Sequence, residues 1–83
     1  MANLARTPKQ LGSLVRRSRK RHGLSQTALS EKTGLRQATI SEIEAGNAGA
    51  RLDTILKVLA TLALEIRIVP RSKSAATDIE DIF

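Results

Sequence analysis

Five side chains between Gly34 and Gly46 carry the chemistry this sequence offers: Arg36, Gln37, Ala38, Thr39 and Ser41. They are short, or polar, or of the types that exchange paired hydrogen bonds with the edges of bases. Their setting is Gln26–Gly46, QTALSEKTGLRQATISEIEAG, two short amphipathic patterns broken at Thr33-Gly34-Leu35. Ser25 opens the first pattern with a hydroxyl suited to cap a helix. In the second, from Arg36 to Ala45, Ile40 and Ile43 fall three apart on one buried face. Gly34 sits where the first helix must end left-handed, a conformation that costs glycine little. Two helices joined in this way form a helix-turn-helix unit, whose second helix can enter a DNA major groove. Taken alone, the pattern would also suit a plain helical hairpin.

Positioning those five residues takes more chain than the hairpin supplies. With 83 residues there is room for one small domain, and with one Phe, no Trp and no Tyr its core must be aliphatic. Thr7-Pro8 predicts a helix start, a capping hydroxyl followed by proline at the first helical position. Leu11, Leu14, Val15 and Ser18 then share one face. Gly12 on this helix is either a mild weakness or a point of close approach to another helix. His22-Gly23 closes it, and Leu24 is placed to staple the next helix to the core. Leu29 is the main buried residue of that second helix. After Gly46–Ala50, a turn by composition, Arg51–Leu62 predicts a fourth helix with Leu52, Ile55, Leu56, Leu59 and Leu62 facing inward.

The pattern then changes. Leu64-Glu65-Ile66-Arg67-Ile68 alternates strictly and Val69-Pro70 ends it, which predicts a β-strand. As the chain's one strand candidate it lacks an internal partner, and a second copy of the chain is the simplest one. Antiparallel pairing about Ile66 would set Glu65 of one copy opposite Arg67 of the other. The competing reading continues the fourth helix. Residues 1–6 read as a flexible arm, 7–70 as the folded and dimerising domain, and 71–83 as a flexible tail. In the tail, Ile79, Ile82 and Phe83 stand among acids, and suit either a short docking peptide or frayed sequence.

The net charge of +6 is uneven. Residues 1–73 hold all 14 Lys/Arg and five of the acids, while Asp78, Glu80 and Asp81 lie in the last ten residues. A basic body points to a polyanionic partner, although solubility alone would also account for charge. Arg16, Arg17, Arg19, Lys20 and Arg21 place five cations in six residues. Some of these suit the dipole at a helix C-terminus, but the number exceeds that need. Arg17 and Lys20 are the candidates to face phosphates.

Other classes of function find little support. There is no Cys, and a lone His22 makes a poor metal site. No triad, metal cluster or phosphate loop can be assembled, so neither an enzyme nor a cofactor is expected. The apolar stretch Leu52–Val69 is interrupted by Asp53, Lys57, Glu65 and Arg67, too short for a membrane span. The start of the chain has no apolar run of signal-peptide length. A cytoplasmic protein without a small-molecule ligand is expected.

Gln26, Leu29, Gly34, Ile40, Ile43, Glu44 and Gly46 together resemble the signature of the Cro/CI-type (Xre) helix-turn-helix repressors, over about residues 11 to 64. The strand after helix four, the stretch Gln37–Ser41 and the short tail make the chain look most like the HipB-type antitoxins of that family. The resemblance implies a mainly α, four-helix lambda-repressor-like domain. It implies a homodimer repressing a palindromic double-stranded DNA operator, with a HipA-like kinase toxin as the partner in a shared operon. A phage-type or stand-alone repressor without a toxin is the alternative. By position, Arg36, Gln37, Ala38, Thr39 and Ser41 would lie against the major groove. Gln26, Thr27, Asn47 and Arg51 would meet phosphates, Gln26 alternatively the edge of the first base. Glu42 would accept from a cytosine amino group or face away, and Glu44 would tie helix three to backbone or to a basic side chain. Two departures stand out: Ser30 and Thr33 replace an alanine and an apolar residue, which should loosen helix-two packing, and Arg51 replaces a capping hydroxyl.

Overall fold

A computed structural model describes residues 4–47 and 49–71. Thr7 caps the first helix, α1, Pro8–Arg21. Its Oγ1 accepts from the Gln10 N–H at 3.0 Å, while Gln10 Oε1 accepts from the Arg6 N–H at 2.6 Å. That reciprocal pair fixes how the chain enters the helix. At the other end Gly23 donates to the Lys20 carbonyl and Leu24 to the Arg19 carbonyl, which closes the helix and turns the chain back. Ser25 Oγ then accepts from the Ala28 N–H at 3.0 Å and starts α2, Gln26–Thr33. Gly34, at φ +74°, ends it, and α3 runs Gln37–Ala45 with Arg36 at its N-cap. The last helix, α4, is Leu52–Thr61.

The helices enclose Val15, Leu29, Ile40, Ile43, Val58, Leu59 and Leu62, with Leu11, Leu24, Leu35, Ile55 and Leu64 packed around them. α1 and α2 both lie against α3, and α4 closes the core from the α2 side. Gly12 is a point of close approach: a Cβ there would come within 2.3 Å of the Ile43 carbonyl oxygen and 2.6 Å of that of Glu44. Gly46 is constrained twice, by φ +88° and by Lys9, whose Cα would lie 2.7 Å from a Cβ at position 46. The N-terminus of α1 and the C-terminus of α3 therefore meet backbone to backbone.

Helix α4 is rotated from its expected setting. Leu52 and Leu56, expected inside, are 65% and 44% exposed, and Val58, absent from the expected face, is fully buried. The apolar stripe on α4 is wider than its footprint on the core, so the pattern does not fix which edge turns outward. Leu14 is likewise only half-buried.

The reading that continued helix four is overturned. Ala63, at φ +58°, turns the chain out of the helix; its N–H reaches the Ala60 carbonyl and that of Leu64 the Leu59 carbonyl at 2.8 Å. This is the glycine-type helix stop carried out by alanine, with Leu64 folded back over Leu59. Beyond it, residues 65–71 form neither helix nor strand within the described chain, and Ile66, Ile68 and Val69 are exposed. Glu65 and Arg67 meet each other inside one chain, at 3.2 Å. The tail residues Ile79, Ile82 and Phe83 lie outside the described residues.

Gly12→Ala is expected to lower the unfolding free energy by about 1–3 kcal/mol through overpacking against α3. Gly49→Ala, where a Cβ meets nothing within 4 Å, should change it by no more than about 0.5 kcal/mol. Urea denaturation of the two variants measures the difference.

Candidate nucleic-acid interface

The pitch of α3 sorts its residues. Ile40 and Ile43 point into the core, and Gln37, Ala38 and Ser41 fall on the opposite, exposed side, with Arg36 exposed just ahead of them. Thr39 is half-buried at one edge of that face. Four of the five residues singled out by type thus share one solvent-facing surface, and the fifth flanks it. Arg36 makes no side-chain cap with its own helix.

What holds this helix is a buried carboxylate. Glu44 accepts from Arg19 Nε at 2.7 Å and from Arg19 Nη2 at 3.1 Å, and the two side chains are 4% and 9% exposed. Arg19 Nη1 also donates to the Leu24 carbonyl at 2.8 Å, and Gln26 Nε2 to Glu44 Oε1 at 3.2 Å. One acid therefore joins α1, the α1–α2 turn, α2 and α3. Arg19 belongs to the basic run that the sequence assigns partly to phosphates, yet it is buried. Its position four residues after Val15 carries that signal: it lies on the core face of α1, and Glu44, four after Ile40, on the core side of α3.

The turn between α2 and α3 has its own polar lock. Thr33 Oγ1 donates to the Leu29 and Ser30 carbonyls and accepts from the Leu35 N–H at 3.2 Å; Ser30 Oγ donates to the Leu35 carbonyl. Both hydroxyls bind the backbone of the turn. The expected loosening of α2 is thus offset by hydrogen bonds that set the angle between α2 and α3.

The candidate phosphate-facing residues lie on three surfaces. Arg17 and Lys20 are exposed on α1 beside Ser13 and Arg16, and among the described residues no acid lines that patch. Gln26 is half-buried and Thr27 exposed at the start of α2. With one amide hydrogen directed at Glu44, Gln26 keeps its carbonyl oxygen and one further hydrogen for a ligand. Asn47 and Arg51 line a concavity between α3 and α4 with Thr39, Glu42 and Thr54. Arg51 does not stand alone there: Nε donates to Asp53 Oδ1 at 3.1 Å and Nη2 to Oδ2 at 3.2 Å. The hydrogen bond from Arg51 is the main reason that the Asp53 carboxyl is held below its ordinary range. Glu42 is exposed and on the side of α3 that faces this concavity. His22 accounts for itself structurally, with Nε2 3.1 Å from the Leu62 carbonyl oxygen, linking the ends of α1 and α4. Among the described residues no cluster of His, Cys, Asp and Glu could hold a metal ion, and no helix is long and apolar enough to cross a membrane.

A small four-helix domain that presents a short polar helix on a rigid frame defines a class, and comparison with known proteins agrees. The family model described as Helix-turn-helix matches residues 15–69, and the chain belongs to that family of transcription regulators. An uncharacterised HTH-type transcriptional regulator of Haemophilus influenzae is 42% identical over 59 residues, 70% of this chain and 60% of the relative. Antitoxin HipB of Escherichia coli is 30% identical over 74 residues, 89% of this chain and 84% of HipB. The solved HipA–HipB–O2–O3 complex contains a chain similar in structure, with a TM-score of 0.75 and 31% identity over 82% of this chain and 96% of that one.

Glu44→Ala would leave the Arg19 guanidinium buried without its carboxylate and is expected to destabilise the fold by about 3–5 kcal/mol. Replacing both partners with leucine should recover much of that loss, because no charge is then left buried. Thermal and urea melts of the three proteins test this.

Proposed function

We propose that this protein is a homodimeric, sequence-specific repressor that acts as the antitoxin of a HipA-like kinase and regulates the operon the two share. The observation that carries the DNA-binding part is the exposed face of α3, where Arg36, Gln37, Ala38 and Ser41 project from a helix whose other side is locked by Ile40, Ile43 and Glu44. Arg offers a fork for guanine O6 and N7, Gln for adenine N6 and N7, and the Ala methyl meets a thymine methyl. Thr39 and Glu42 flank this reading surface. The patch of Arg16, Arg17 and Lys20 on α1 adds sequence-independent attraction that weakens as salt rises.

Dimerisation rests on apolar surface that one chain leaves uncovered. Leu52 and Leu56 on α4 and Ile66, Ile68 and Val69 beyond it are all exposed. Burying them against the same residues of a second copy would pair segment Leu64–Ile68 across a two-fold axis. Each α3 would then enter a successive major groove about 34 Å from the other. The similarity to HipB, which is found with HipA in a solved complex, supports the antitoxin role.

Footprinting on the DNA upstream of its own reading frame is expected to protect a two-fold symmetric site; equal affinity for a scrambled duplex would sink specific repression. In the same assay Gln37→Ala should cost about 1–3 kcal/mol and relax preference at one base pair. Leu56→Lys combined with Ile66→Lys should shift the sedimentation of the protein from dimer to monomer at micromolar concentration. A wild-type protein that sediments as a monomer would reject the two-fold arrangement.

A further inference from the structure

We infer that Asp53 attenuates DNA binding by occupying the guanidinium of Arg51, among the described residues the only cation lining the concavity between α3 and α4. The inference rests on the reading of Arg51 as a phosphate contact. Arg51 points one of its two forked edges, Nε and Nη2, at the Asp53 carboxylate, at 3.1 and 3.2 Å. A phosphate seeks that same fork. The edge that remains lies next to a carboxylate held in place by its own backbone bond, from the Thr54 N–H to Oδ1 at 2.8 Å.

The rest of the concavity does not compensate. Glu42 lines it too, and Thr39, Asn47 and Thr54 are neutral. The α1 patch is the contrast, with three cations and no acid among the described residues. A phosphate arriving at Arg51 must displace Asp53 or bind beside it. Both Arg51 and Asp53 are largely exposed, at 81% and 69% of their side-chain surface, so the pair opens easily. Asp53 therefore tunes the contact and does not block it. The effect is independent of base sequence, because the contact concerned is to the DNA backbone.

The test compares wild type, Asp53→Asn, Arg51→Gln and the double variant by fluorescence anisotropy across a salt series. The probes are a duplex from the protein's own upstream region and a random-sequence duplex. Asn at position 53 keeps an oxygen for the Thr54 N–H, and thermal melts check that each variant folds. Asp53→Asn is expected to tighten binding to both duplexes roughly two- to fivefold. It should also steepen the slope of log affinity against log salt, by less than the roughly 0.9 that one whole phosphate contact contributes. The double variant should bind like Arg51→Gln alone. Unchanged or weaker binding by Asp53→Asn, or tightening that persists without Arg51, overturns the inference. If Arg51→Gln alone leaves affinity and slope unchanged, the phosphate reading of Arg51 has failed instead.

Discussion

The ion pair between Arg19 and Glu44 is the constraint on which the placement of α3 depends. Two charges withdrawn from water are costly, and the arrangement is tolerable only because both are nearly saturated with partners. The carboxylate receives Arg19 twice and Gln26 once; the guanidinium also reaches the Leu24 carbonyl. The geometry that satisfies all of these at once allows little freedom among the three helices. An apolar substitute of equal volume could fill the space, but it would carry none of these directional hydrogen bonds. The fold retains a polar device where orientation matters, and the surrounding aliphatic core supplies the stabilisation.

Much of this architecture is written in short-range chemistry. Thr7-Pro8, Ser25 and Gly34 mark helix ends by mechanisms that act within four residues, so they read correctly without tertiary information. The isoleucine pair in α3 likewise fixes which side of that helix turns outward, and with it the candidate reading surface. What could not be read depends on partners far along the chain. Arg19 and Glu44 are 25 residues apart, and a basic run conceals the one member that faces inward. In α4, where six apolar residues cover more than half the circumference, periodicity alone could not choose between Leu56 and Val58. Ala63 ends a helix in a conformation normally given to glycine, so its role was invisible from residue type. Ser30 and Thr33 look like polar flaws until the turn they bond to is seen.

Charge is distributed with a similar division of labour. Among the described residues the cationic surface of α1 is lined by no acid and can attract any polyanion, whereas Arg51 and Asp53 at the start of α4 are paired with each other. The first arrangement favours capture at a distance. The second responds only when a ligand is close enough to compete with an existing hydrogen bond. Under the proposed function, long-range attraction and short-range adjustment fall to different helices.

The close approach at Gly12 has a mechanical consequence. It touches α3 at the Ile43 and Glu44 carbonyls, Lys9 crowds Gly46, and the Arg19–Glu44 pair lies at the same end. The helix is held like a beam clamped at its C-terminal half, with Ile40 as the inner support. The outward residues toward its other end, Arg36, Gln37, Ala38 and Ser41, contribute little to that clamp. Substitution there changes the chemistry of the exposed face while the supports of the fold stay intact. Surface chemistry and stability are separable traits along a helix of nine residues.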